Sequence, residues 1–452
     1  MANQEEVRDV YGYFEQKGNA LCYRYEAERV RIEPWGADSL RVRAWKTAEM
    51  DPADWALIKP EKEITPEIEA REDGATIRNG KIRAEINLIG KIAFYNQKGE
   101  LLLDEYVRNR KDMFGNTCSS LEVEAREFKP ITGGDYRLTM RFVSTPEEKI
   151  YGMGQYQQPY LDVKGADLEL AHRNSQASVP FMLSSLGYGF LWNNPAVGRV
   201  NFGKNITTWE AFSSKKLDYW ITAGDTPAEI EEAYANATGK VPMMPEYAMG
   251  FWQCKLRYQT QEELLEVARE YKRRNLPISV IVVDFFHWPM QGEWKFDPTY
   301  WPDPDAMIKE LKDMGIELMV SIWPTVDYRS ENFNEMKSKG LLIRVDSGYP
   351  ISMDFQGNTL HYDATNPEAR EYVWEKAKKN YYDKGVILLH AAMYGINAVK
   401  TIMIKVSAYS GWMKQNRNIQ FMISRIIVII SDRIFRLEIF ILLCMQRHFL
   451  ME

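Results

Sequence analysis

Histidine and cysteine are scarce in this chain, and basic residues do not outnumber acidic ones. Among 452 residues there are 5 histidines and 4 cysteines, and the formal net charge is −6. Cys22, Cys118, Cys254 and Cys444 lie far apart, so their spacing gives neither a disulfide framework nor a metal site. His287 and His361 stand at no ligand spacing and read as surface or satisfied histidines, so no metal is expected. The acidic balance argues against a polyanionic partner, and no nucleic acid is expected. The opening MANQEEVRDV is acidic and has no apolar core of the kind a secretion signal needs. A cytoplasmic location is therefore expected. A long uninterrupted hydrophobic run is also missing. The apolar stretch Ile419–Leu450 is broken by Arg425, Asp432, Arg433, Arg436 and Glu438, so no membrane span is expected.

What the chain does have is two contrasting patterns. Up to about Lys240 it shows short alternating runs, such as VRIEPWGADSLRVRAW, ATIRNGKIRAEINL, KIAFYNQKGELLLDE and YRLTMRFV. Turn pairs Asn79-Gly80, Lys98-Gly99 and Gly133-Gly134 punctuate them. Alternation with regular turns predicts a β-sandwich. DTPAEIEEAYANATGK (Asp225–Lys240) predicts a helix, with Asp225 or Thr226 as cap and Pro227 in its first turn. Pro242 and Pro245 then mark a boundary near Val241–Glu246.

Beyond it, strands and helices alternate. Strands are predicted at Ala248–Gln253, Ile278–Val283 and Glu317–Trp323. Helices are predicted at Thr260–Arg274 (with a Thr260/Glu263 capping box), Asp305–Met314, Asn332–Lys339 and Thr365 to about Asp383. Repeated βα units imply a parallel sheet, and aromatic strand ends favour a barrel. Only about four units fit before the composition changes, and an eight-fold barrel needs twice that.

The stretch Ile278 to Pro304 carries the functional signal. An apolar run, Ile278-Ser279-Val280-Ile281-Val282-Val283, ends on Asp284, followed by Phe285, Phe286, His287 and Trp288. A run of this kind suits a strand buried on both faces. A carboxylate at the carboxyl end of such a strand is where a barrel keeps its active site. Aromatic faces stack on the C–H faces of sugars while an acid bonds their hydroxyls. The competing reading is an Asp that merely caps the next loop.

Several pieces together resemble glycoside hydrolase family 31, the α-glucosidases and α-xylosidases. They are YGMGQ, RNSQASVPFMLSSLGYGFLWNN, MPEYAMGFWQCKLRY (Met244–Tyr258), NLPISVIVVDFFHW, FDPTYWPDP and LMVSIWPTV. They span roughly residues 20–386, and the version in this chain is most similar to the α-xylosidase side. The resemblance implies a galactose mutarotase-like β-sandwich (1–240), the first half of a (β/α)8 TIM barrel (241–386) and an aberrant tail (387–452). It implies that Asp284 bonds sugar hydroxyls in the −1 site, that Phe286, Trp252 and Trp323 wall that site, and that Trp294 sits nearer the +1 side. An α-linked oligosaccharide or glycoside is the implied partner, and the family's mechanism needs no cofactor. Core packing at a barrel rim is the plainer reading of each aromatic.

Family chemistry is retaining hydrolysis by two carboxylates about 5–5.5 Å apart. The resemblance places the nucleophile in a segment such as IFWLDEAEPE at the end of the fourth strand, and that segment is absent from this reading frame, as is the acid/base. After Val386 isoleucine crowds in and periodicity is lost. A frame shifted by one base explains the change. Trp412-Met413 (TGG ATG) forces a hidden GAT, Asp, and Met413-Lys414 forces GAA, Glu. With allowed codons elsewhere, Ala392 to Phe449 decode to a segment containing IFWLDEAEPE. Its hidden DVWDKRCKDYYDKGI echoes in-frame Tyr372–Val386, YVWEKAKKNYYDKGV. The chain in this frame therefore holds neither catalytic carboxylate. A non-catalytic carbohydrate-binding remnant is the alternative reading.

Overall fold

The computed structural model describes residues 12–60, 63–71, 73–108, 122–171, 177–241, 243, 245–255, 257–343, 358–364 and 366–386, with two further backbone strands, Leu388–Ala391 and Ile426–Val428. The rest of the tail expected at 387–452 lies outside the described residues. Contacts divide the chain into two units: Met1–Ala171 with Ser178–Lys240, and His172–Ala177 with Val241–Glu452.

The first unit is built from the alternating runs. Buried and half-buried positions alternate along these strands, as in Ile206–Ser214, where Thr207, Trp209, Ala211 and Ser213 point inward. The Asn79-Gly80 turn joins Gly74–Asn79 to Ile82–Asn87, with Arg78 opposite Arg83. An eight-stranded sheet and two five-stranded sheets result. Side chains from all three meet in one core, in which Phe190 lies 5.1 Å from both Trp209 and Tyr219. The strand Leu217–Ala223 does not alternate, because both of its faces are buried. The helix Pro227–Thr238 packs on it, capped by Thr226, whose Oγ1 accepts from the Glu229 N–H. Tyr234 from that helix stacks on Phe181 at 3.9 Å.

The second unit carries the βα alternation. Its first strand, β1 (Trp252–Cys254), is shorter than the sequence suggests: Glu246–Met249 coils into a 3-10 turn after Pro245 instead of extending. Then come α1 (Gln261–Arg273), β2 (Val280–Val283), α2 (Pro304–Asp313), β3 (Glu317–Ser321), α3 (Phe333–Ser338), α4 (Pro367–Asn380) and β4 (Leu388–Ala391). Strands β1 to β4 are parallel in that order. In-frame residues thus occupy the fourth strand position, and Ile426–Val428 pairs antiparallel to β4 beyond it. Helix starts follow their caps. Thr260 Oγ1 accepts from the Glu263 N–H at 3.2 Å, Asp303 accepts from Ala306 at 3.0 Å, and Asn366 accepts from Glu368 at 2.9 Å. The sequence does not signal a small antiparallel ladder, Thr325–Asp327 with Thr359–His361.

Candidate sugar-binding site

Register decides what the barrel half presents. Trp252 lies beside Val280, and Val280 beside Glu317. Cys254 lies beside Val282, and Val282 beside Met319. Side chains two residues apart share a face. Asp284 therefore continues the face of Val280 and Val282, level with Ser321. The Ser321 hydroxyl donates to Asp284 Oδ1 at 2.9 Å, and the Phe285 N–H donates to the same oxygen at 2.8 Å. Among the described residues, no hydrogen bond reaches Oδ2. Asp284 is half-buried, and burial pushes its carboxyl above the usual range against the pull of those two donors. The same carboxylate, after burial, helps raise the Cys254 thiol to about 11, so this thiol is a poor nucleophile at neutral pH.

Aromatic rings gather beside this carboxylate. Phe285 lies 5.3 Å and Phe286 5.8 Å from Trp323, and Trp288 lies 5.6 Å from it. Phe286 is half-buried and adopts φ +61°, an outlier for a bulky side chain of the kind that collects at functional sites. His287 fixes the turn from below. Its Nδ1 meets the Asp284 carbonyl at 2.9 Å and its Nε2 the Tyr381 hydroxyl at 2.9 Å. Burial lowers its pKa to about 4, so the ring is neutral at pH 7.

Of the expected sugar contacts, Phe286 and Trp323 stand with Asp284. Trp252 does not. It sits four residues down the same face, about 13 Å along the strand at ~3.3 Å per residue. There it packs on Val280, Val282 and Met319, and its indole N–H donates to the Ala248 carbonyl at the amino end of the sheet. Trp294 is fully buried, 1% exposed, and donates to the Trp323 carbonyl at 3.0 Å. It braces the loop bearing Trp323 and offers no face to a ligand. His361 is neither a surface nor a satisfied histidine: it is buried, and among the described residues neither ring nitrogen has a hydrogen-bond partner. Sequence reasoning missed Ser321 and Tyr381. The signal for Ser321 was a hydroxyl residue on the inward face of an otherwise apolar strand, ELMVS. Tyr381 left none, because its partner is 94 residues away.

An open depression of about 400 Å³ lies on the other unit, over the sheet Glu67–Asp104. Both of its cations are already paired, Lys91 with Asp104 at 2.7 Å and Arg71 with Glu69 at 2.7 Å.

Comparisons with known proteins identify both units. The Glycosyl hydrolase 31 N-terminal galactose mutarotase-like domain matches residues 29–201, and the Glycosyl hydrolases family 31 TIM-barrel domain matches residues 241–421. A family 31 glucosidase of Pseudescherichia vulneris, itself uncharacterized, is 55% identical over 381 residues, which are 82% of this chain and 72% of that protein. The chain belongs to glycoside hydrolase family 31. Alpha-xylosidase A of Aspergillus niger is 33% identical over 404 residues, covering 83% of this chain and 53% of that protein. The crystal structure of a family 31 α-xylosidase from a soil metagenome, complexed with xylose, is 58% identical with a TM-score of 0.80. It covers 84% of this chain and 57% of that one. This family 31 chain thus spans little more than half the length of those two relatives. Its sandwich is the galactose mutarotase-like domain of the family, and its second unit is part of the family's barrel.

Proposed function

We propose that this chain holds the sugar-recognition part of a retaining α-glycosidase, of α-xylosidase or α-glucosidase type, acting on α-linked oligosaccharides or glycosides. One observation carries the reading. Asp284 spends one oxygen on Ser321 and Phe285 and keeps the other unbonded beside Phe286 and Trp323. A free carboxylate oxygen accepts sugar hydroxyls, and the rings take the apolar face. Among the aromatics, Phe286 and Trp323 serve this role; Trp252 and Trp294 support the fold. The xylose complex of the 58% identical relative favours a pentose as the first ligand to try.

The nucleophile is the part we assign to the shifted frame, with the acid/base further on. In this reading frame the chain binds sugar without turning it over, and the location is cytoplasmic. Calorimetric titration with D-xylose tests the recognition half: binding that is abolished in Asp284→Asn supports it, and unchanged binding in that variant overturns it. An aryl α-xyloside assay tests the other half, because turnover by this chain would show that a carboxylate pair is present after all.

A further inference from the structure

Arg257 has a place in the site that neither the sequence pattern nor the family match assigns. It lies three residues beyond Cys254, in the loop at the carboxyl end of β1, and is half-buried. Its guanidinium carbon stands 5.6 Å from the centre of the Phe286 ring. Several nearby cations are paired: Lys255 with Glu263, Arg269 with Glu262 and Glu310, Arg329 with Asp327. Among the described residues, Arg257 meets no carboxylate and donates no hydrogen bond; its guanidinium faces the ring of Phe286. A guanidinium carries five N–H donors in a planar fork, and leaving all of them without a protein partner on a half-buried group is costly unless water or a ligand takes them.

The ring beneath it is the strained one. Phe286 shares a single turn with Asp284 and holds φ +61° while contacting Phe285, Trp288 and Trp323 on its other sides. Cation and carboxylate are thus presented by neighbouring parts of one surface, at the end of the sheet where barrels bind their ligands. A neutral disaccharide fits this pair. One sugar gives hydroxyls to Asp284, and the next offers vicinal hydroxyl oxygens to the fork. Arg suits such a two-point contact better than Lys, whose ammonium is a point charge.

We propose that Arg257 is a specificity-determining residue that binds the second, leaving-group sugar of an α-linked disaccharide. This rests on the sugar-recognition reading of Asp284. The test is calorimetric titration of the full chain, Arg257→Ala and Arg257→Lys with D-xylose and with an α-xylosyl-glucose disaccharide, circular dichroism showing that the variants fold alike. The expected result is a roughly tenfold weaker disaccharide affinity in Arg257→Ala, the size of one charge-assisted hydrogen bond, with xylose affinity retained and only part of the loss recovered by Arg257→Lys. Equal loss for both sugars, or no loss for the disaccharide, overturns the proposal. If the unaltered chain binds xylose and the disaccharide equally, the role of Arg257 fails alone. If it binds neither, the reading of Asp284 fails and takes this one with it.

Discussion

Asp284 and the residues that hold it set the chemistry at the scale of single side chains. Asp284→Asn keeps an oxygen for the Phe285 N–H and the Ser321 hydroxyl but loses the charge that makes sugar hydrogen bonds strong. Xylose affinity should fall at least tenfold while thermal stability changes little, which titration and a thermal melt together will show. Trp294→Phe acts differently. It removes the indole N–H that donates to the Trp323 carbonyl in the core. A loss of about 1–3 kcal/mol in urea unfolding is expected, with weaker xylose binding as Trp323 loosens.

Histidine supplies the pH dependence. Burial lowers His287 to about 4 and His361 to about 3, whereas an unfolded histidine titrates near its ordinary value of 6.5. Below 6.5 the unfolded chain therefore binds protons that the folded chain refuses. Stability is full above that pH and falls as the pH drops toward 4, by about 2 kcal/mol for each ring at pH 5. Urea melts at pH 7.5 and pH 5 measure this. A His287→Gln variant should lose about half of the difference, and an unchanged difference would mean that His287 is not held neutral.

Elements are set by caps and by backbone conformations that few residues accept. Thr260 begins α1, and Thr260→Ala should cost about 1 kcal/mol, the usual worth of a cap, read from the melting temperature. The strand Ile150–Gln155 carries a sharper constraint. Gly152, Met153 and Gly154 all have positive φ, and a Cβ on Gly152 would meet the Phe181 carbonyl oxygen at 2.8 Å. Gly152→Ala should destabilise the sandwich unit by roughly 1–3 kcal/mol through backbone strain alone, and by more than Gly133→Ala, which carries the same positive-φ cost but meets nothing within 4 Å. The start of α1 was legible in the sequence because its signal is local: a Thr followed by Glu three residues on. The ladder of Thr325–Asp327 with Thr359–His361 was not legible, since each strand has three residues and their partners are far apart in the chain.

At the scale of the molecule the central fact is half a barrel. Four parallel strands bring Asp284 and its aromatic wall to one rim, and the rest of a family 31 barrel is not among the described residues. Nucleotide sequence across codons 380 to 420 from the source itself decides between two outcomes: one continuous frame running from YYDKG into IFWLDEAEPE makes the tail a sequence artefact, and a confirmed shift makes the tail the chain's own. The protein made from the continuous frame should hydrolyse an aryl α-xyloside, whereas the 452-residue chain should not. A confirmed shift would leave sugar recognition as its one retained activity.

The sequence by itself determined the two-part architecture, the helix starts and the position of Asp284 at the end of a buried strand. Each of these depends on neighbours within a few residues: alternation of two, caps of three, an apolar run closed by an acid. Only the tertiary structure decided which aromatics stand beside Asp284. Trp252 and Trp294 look like Phe286 and Trp323 in the one-dimensional pattern. Register put Trp252 four residues below Asp284, and packing sealed Trp294 under the Trp323 carbonyl. It also supplied partners that lie far along the chain, Ser321 for Asp284 and Tyr381 for His287. The physical reason is that a side chain's level on a sheet and its long-range partner depend on how strands align and which helix closes over them, and neither quantity is encoded in the residues on either side of it.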